Sequence, residues 1–185
     1  MTNLSTTTFA VALAAALSAC AGMQSGGSMS SYSQASLPDP VKVPTGNKVA
    51  LETVGVGEIT YECRAKTDAP GTFEWAFVGP QADLNSRSGA KVGTYFGPPA
   101  TWAANDGSKI TGTQVAVSPA PAGNIPMQLV KANPASGPGA MMGVTYIQRV
   151  ATKGGVAPAD PCNSGAAGKK MVVKYQADYI FYTAA

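Results

Sequence analysis

The sequence predicts a mainly all-β fold: one β-sandwich or barrel-like domain of about eight strands, with long Pro/Gly-rich loops and one intradomain disulfide. Three observations predict it. Apolar residues alternate along the chain with a period of two, the pattern of half-buried strands, and no window carries a long 3.6-period stripe. The chain has 21 Gly and 14 Pro against 12% charged residues, which favours turns and short strands over long helices. Turn signals separate the alternating runs at intervals usual for a sandwich or barrel.

The N-terminal segment stands apart from that domain. Residues 9–19, FAVALAAALSA, form an apolar run far short of the roughly 20 residues that span a bilayer. Its length suits the h-region of a secretory signal, about 7–15 residues. The preceding residues 1–8 carry no Lys or Arg, where such regions are usually basic. Leu17-Ser18-Ala19-Cys20 resembles the lipobox of bacterial lipoproteins. Small side chains admit the signal peptidase, and the thiolate of Cys20 accepts the lipid. More than one acyl chain then makes the anchor stable. Residues 1–19 therefore read as a lipoprotein signal peptide, with the membrane partnered through lipid on Cys20. Ala21, rather than an Asp, follows the cysteine, which points to the outer membrane of the cell envelope. Residues 20–43 read as the lipidated Cys and a flexible tether. Residues 21–36 are Gly/Ser-rich and uncharged, and cannot bury enough surface to offset the entropy of ordering. Pro38, Pro40 and Pro44 stiffen the approach to the domain, residues 44–185.

The strands follow in order. Residues 48–54 form the first. In residues 58–64, Ile59, Tyr61 and Cys63 share one face. In residues 72–78, Phe73, Trp75 and Phe77 line one face, a core stripe. Residues 81–88 have room for one helical turn. Residues 91–96 are short and end at Gly97-Pro98-Pro99. The Pro/Gly-rich loop that follows holds Trp102. Asn105-Asp106-Gly107 is a hairpin turn signal leading to the Thr/Val-rich residues 109–117. Residues 124–132 place Ile125, Met127 and Leu129 together. Residues 144–152 set Val144, Tyr146, Gln148 and Val150 opposite Thr145, Ile147 and Arg149. Residues 171–182 are the longest run. Met171, Val173, Tyr175, Ala177, Tyr179 and Phe181 share one face, and so long an alternation needs neighbours on both sides.

With Cys20 assigned to lipid, Cys63 and Cys162 remain as an even pair in an oxidising compartment and are expected to form a disulfide. Neither has a CxxC partner and the chain has no His, so no metal site and no cofactor are implied. The net charge of +3 comes from scattered Lys and Arg, with Lys169-Lys170 the one basic pair. Nucleic acid is not an expected partner, because binding it needs a clustered basic footprint. Without His, Ser-His-Asp and Cys-His catalysis are excluded. No GxSxG or phosphate-cradling glycine loop occurs. Glu58, Glu62, Glu74 and Asp178 remain as carboxylates for glycoside chemistry.

Four stretches carry a resemblance. They are Trp75 with Phe77, Gly79-Pro80 and Leu84; Gly97-Pro98 leading to Trp102 and Asp106-Gly107-Ser108; Gly143 to Val150, with Thr152, Gly154-Gly155, Pro158 and Cys162; and Tyr175 to Tyr182. In order, over residues 44–182, they resemble the bacterial and fungal domain of unknown function family 3455. The resemblance implies domain boundaries more than an activity. Two departures mark this chain. Tyr95-Phe96 stands where the family often has a His beside the aromatic, and Pro99-Ala100 lengthen the approach to Trp102. Some fungal relatives carry a malate dehydrogenase label. Here Gly55-Val56-Gly57 lacks the third glycine of a dinucleotide fingerprint and has no strand–turn–helix context.

Candidate binding residues are Trp102, Asp106, Arg149 and Asp178. Trp102 lies in a loop, where an aromatic serves as a packing lid or as a binding residue. Asp106 is read most simply as a turn residue. Arg149 and Asp178 interrupt apolar strands, so they are expected to form a buried pair or a polar spot for a ligand. The leading expectation is a noncatalytic, envelope-tethered module that binds a ligand or an envelope partner. The alternatives are a carboxylate-dependent hydrolase of envelope or extracellular glycan, and a carrier of small apolar ligands.

Overall fold

A computed structural model describes Met1 and residues 32–185. Residues 2–19 of the expected signal peptide, Cys20 and the expected tether up to residue 31 lie outside the described residues. Eight strands follow one another: β1 (Asn47–Ala65), β2 (Phe73–Asn85), β3 (Lys91–Phe96), β4 (Thr101–Ala104), β5 (Lys109–Ser118), β6 (Met127–Ala132), β7 (Val144–Gly154) and β8 (Lys170–Ala184). Each pairs antiparallel with its chain neighbour, and β1 pairs with β8 to close a barrel. Closure removes the unpaired edges that an open sheet must protect. Helical structure among the described residues is confined to two single 3₁₀ turns, Asp39–Val41 and Ser164–Ala166.

The all-β class and the alternation hold, with different strand membership. The runs 48–54 and 58–64 are one strand, because Gly55 and Gly57 do not turn the chain. Both face inward, and a Cβ on Gly55 would lie 2.6 Å from the ring of Tyr179. One on Gly57 would meet Gln81 O and the Ala82 backbone. Here glycine admits a close neighbour. Residues 81–85, where a helical turn had room, continue β2, because Ala82 and Leu84 alternate into the core. The loop expected around Trp102 is instead β4, whose four residues are too few to show a period. Cys63 and Cys162 are disulfide-bonded across a sequence separation of 99.

The barrel interior is packed. Leu84, Ile147, Ala177 and Phe181 are fully buried, with Tyr179 and Trp102 beside them. Residues 133–143 plug one end, inserting Met141 into the core. Asp106 fixes that plug: one carboxylate oxygen accepts from Ser108 N–H and O–H, the other from Ala140 N–H at 2.7 Å. The Ser108 hydroxyl oxygen in turn accepts from Met141 N–H at 3.2 Å.

A second apolar cluster lies outside the barrel. Val41 and Val43 cover Leu129, Val150, Ile180 and Tyr182, with Tyr32 and Leu37 at its margin. Residues 32–43, expected to belong to the tether, thus form a strap on the outer wall, and the compact unit begins at Tyr32. The Gly/Ser composition before it conceals four apolar side chains that find an apolar strip to bury. Gln34 clamps the strap on itself, accepting from Val43 N–H and donating to Val43 O.

Candidate functional site

The end of the barrel opposite the plug carries a pocket. The registers of β3 and β4 set Tyr95 beside Trp102, both pointing inward. Their rings stack, with centroids 4.8 Å apart and planes 24° from parallel. Tyr179, inward on β8, packs on both at 4.9 and 5.9 Å. Above this aromatic floor, the next inward positions on β5, β6 and β7 are polar. Gln128 lies directly across from Arg149, and donates to the Gln114 side-chain oxygen. Phe77, Pro80, Pro98, Gly112 and Val130 complete a pocket of about 240 Å³. Phe77 was expected in a core stripe. A bulge between Thr60 and Tyr61 carries it to the rim, where it is 54% exposed and edge-on to Tyr61.

Among the described residues, Arg149 is the only charged one lining the pocket. Its Nε and Nη2 donate to Pro126 O at 3.2 and 3.0 Å. Among the described residues it has no carboxylate partner, and residues 2–31 contain no Asp or Glu. An arginine fork at the rim of an aromatic pocket, without a counter-ion, is a standing donor for an anion. Burial pushes the hydroxyls of Tyr95, Tyr175 and Tyr179 above the ordinary tyrosine range, and the Arg149 charge opposes it in each case. These phenols stay protonated at neutral pH. Tyr175 and Tyr179 bond to each other at 3.2 Å. The Trp102 indole N–H has no partner among the described residues, although the residue is 1% exposed. Buried donors are normally satisfied, so an orphan at a pocket wall is notable. The pocket therefore offers donors and π faces. Among the described residues its lining presents no carboxylate, imidazole or thiol.

A model of the family of proteins of unknown function DUF3455 matches residues 44–183. The chain belongs to that family. The match takes in every residue that lines the pocket, while the strap precedes it. Neither a curated protein nor a solved structure matches the chain.

Three of the stretches that resemble the DUF3455 pattern line this site, with Phe77 and Pro80 from the first, Pro98 and Trp102 from the second and Arg149 from the third, while the fourth supplies Tyr179, which packs against Tyr95 and Trp102. The departure at Tyr95 falls on the pocket wall itself. Of the four candidate residues, the DUF3455 barrel brings two together, Trp102 and Arg149, although Trp102 sits in a strand and in the core. Asp106 lies at the plug, where its hydrogen bonds hold its carboxyl below the usual range, the Ser108 hydroxyl most strongly. Asp178 is on the outer wall, 2.7 Å from Arg87, which also holds Glu52 at 3.0 Å. The expected Arg149–Asp178 pair does not form. Arg149 registers with Tyr179 and Val150 with Asp178, so the two charges point to opposite faces.

The other carboxylates considered for glycoside chemistry also face outward. Glu58 pairs with Lys174 at 2.8 Å, Glu62 with Arg64 at 3.0 Å and Glu74 with Lys66 at 3.6 Å. Sequence reasoning missed Tyr95, Gln114 and Gln128. On β6 the apolar residues Met127 and Leu129 mark the outer wall under the strap, while Gln128 and Val130 face in. A strand covered on both sides gives no hydrophobic cue to which face is inside. The cue available was the run of polar residues, Gln114, Gln128 and Arg149, on three adjacent strands.

Proposed function

We propose that this chain is an exported, lipid-anchored, noncatalytic binding protein whose barrel takes a small ligand at its mouth. The observation that carries the reading is Arg149 without a counter-ion at the rim of an aromatic pocket. The Cys63–Cys162 pair supports export, since such bonds persist in oxidising compartments. The lipobox-like residues ending at Cys20 and the polar stretch behind them support an anchor in the envelope, with the outer membrane as its place.

A carrier that encloses an apolar ligand within the barrel is less well supported. The interior is filled by Tyr95, Trp102 and Tyr179, and the mouth pocket of about 240 Å³ is smaller than the roughly 300–1,000 Å³ usual for drug-sized ligands. A glycan hydrolase is not supported by carboxylates that face outward in ion pairs.

Two measurements test the two halves. In amide and indole NMR spectra of the full chain, a panel of small metabolites should include members that move the Trp102 indole signal. The Trp75 indole, bonded to Asp160 O, should stay in place. A Trp102 signal indifferent to the whole panel would overturn the binding half. Labelled palmitate should enter the wild type in cells and be lost in Cys20→Ala; an unlabelled wild type would overturn the anchor.

A further inference from the structure

We infer that the ligand of the mouth pocket is a small planar monocarboxylate, an aromatic acid of a single ring. The inference rests on the binding reading above and narrows it to a chemical class. Arg149 already uses its Nε and one edge of Nη2 on Pro126 O. That contact fixes the guanidinium plane. The opposite edge, Nη1 with the second Nη2 hydrogen, has no protein partner among the described residues. Two parallel N–H donors in one plane match the two oxygens of a carboxylate. The pocket lining holds one positive charge and no negative one. A monoanion balances that charge. A phosphate dianion would bring a second charge, desolvated against aromatic walls, without a partner.

The rest of the lining describes the body of the ligand. Tyr95, Trp102, Phe77, Pro80 and Pro98 give flat apolar surfaces, and aromatic rings favour stacked or edge-on partners. Gly112 leaves the β5 wall without a side chain. Trp102 lines the pocket, and its indole N–H, nine-tenths or more buried, has no partner among the described residues. Gln114, whose oxygen is taken by Gln128, has no acceptor for its amide hydrogens among the described residues.

The test uses benzoate as the probe, with benzamide as its neutral isostere and cyclohexanecarboxylate as its non-planar one. Each is titrated into the full chain in detergent, following the Trp102 and Trp75 indole signals. Benzoate should move the Trp102 signal and bind at least tenfold more tightly than either comparator. Arg149→Met should weaken benzoate at least tenfold and leave benzamide unchanged, with an unmoved Trp75 signal showing that the barrel is folded. Equal affinity for benzoate and benzamide, or an Arg149→Met variant that keeps its benzoate affinity, would overturn the carboxylate inference and leave the binding reading standing. Cyclohexanecarboxylate binding as well as benzoate would overturn planarity. If no probe moves the Trp102 signal, yet other members of the panel do, the carboxylate inference alone falls; if nothing does, both fall.

Discussion

Gln148 lies on β7 with its side chain wholly buried, between the outer wall and the strap. Its amide oxygen accepts from the hydroxyls of Tyr32 and Tyr182, and its amide nitrogen donates to Gln34 and to Val41 O. All four capacities of the amide are thus used. Replacing it with an isosteric apolar residue strands those partners, and an unsatisfied buried group costs about 1–3 kcal/mol. Gln148→Leu should therefore lower unfolding stability by about 3 kcal/mol in urea melts. Tyr32 belongs to the same network and gives it a pH dependence. Its hydroxyl pKa is pushed up to about 12, first by burial and then by the charges of Asp178 and Glu52. The unfolded value is about 10. The folded state thus holds the proton more tightly, and its stabilising share is complete below pH 10. That share is lost as pH rises through about 12. Urea midpoints should fall over this window, and Tyr32→Phe should make the fall shallower. The alternation divides β7 correctly from Tyr146 to Val150, with Gln148 and Val150 opposite Ile147 and Arg149, but a register shift before Tyr146 turns Val144 inward beside Ile147. The alternation did not show that the strap makes the side of Gln148 and Val150 a second interior.

The plug and the short strand β4 show what an element conceals. Residues 133–143 contain no alternation and read as a Pro/Gly-rich loop, yet Met141 is only 1% exposed. Loops bury a side chain when their backbone groups find partners, and Asp106 and Ser108 supply them here. Met141→Ala should cost about 2–5 kcal/mol, the range for emptying a buried methionine site. Asp106→Ala should leave the barrel folded but speed hydrogen exchange at the amides of Ala140 and Met141, both of which bond to this turn. Unchanged exchange would mean that the plug is held by packing alone. β4 was legible in the turn Asn105-Asp106-Gly107 that starts its hairpin with β5, and not in its own four residues. Trp102 looked like a loop residue because a strand of one or two pleats has no period to detect. The polar face of the pocket was hidden for a related reason: glutamine at an inward position reads as solvent-facing until the register of its neighbours is known.

At the scale of the whole molecule, seven of the strand pairings join chain neighbours, and one does not. The β1–β8 seam must bring residues 47–62 against residues 170–184, with the rest of the barrel lying between them in the chain. Closing so long a loop carries the largest entropic cost in the topology. The disulfide sits at this seam: Cys63 follows Glu62, the last β1 residue paired with β8, whose partner Lys170 opens β8 shortly after Cys162. The backbone adds to the staple, since Cys63 N–H donates to Lys169 O and Gly168 N–H donates to Cys63 O. The bond therefore shortens, in the unfolded chain, the one closure that local pairing cannot provide. In the chain-entropy model a loop of about 100 residues gives up to about 4.7 kcal/mol, and removal of native disulfides from small secreted domains costs about 2–5 kcal/mol. The Cys63→Ala/Cys162→Ala double variant should lose stability in that range in urea melts. Because the effect acts on the unfolded ensemble, its native spectrum, including the Trp102 indole signal at the pocket, should match that of the wild type. A variant of undiminished stability would place the strength of the seam in its strand pairing. One that loses the Trp102 signal while still folded would tie the disulfide to the mouth pocket at the same end of the barrel.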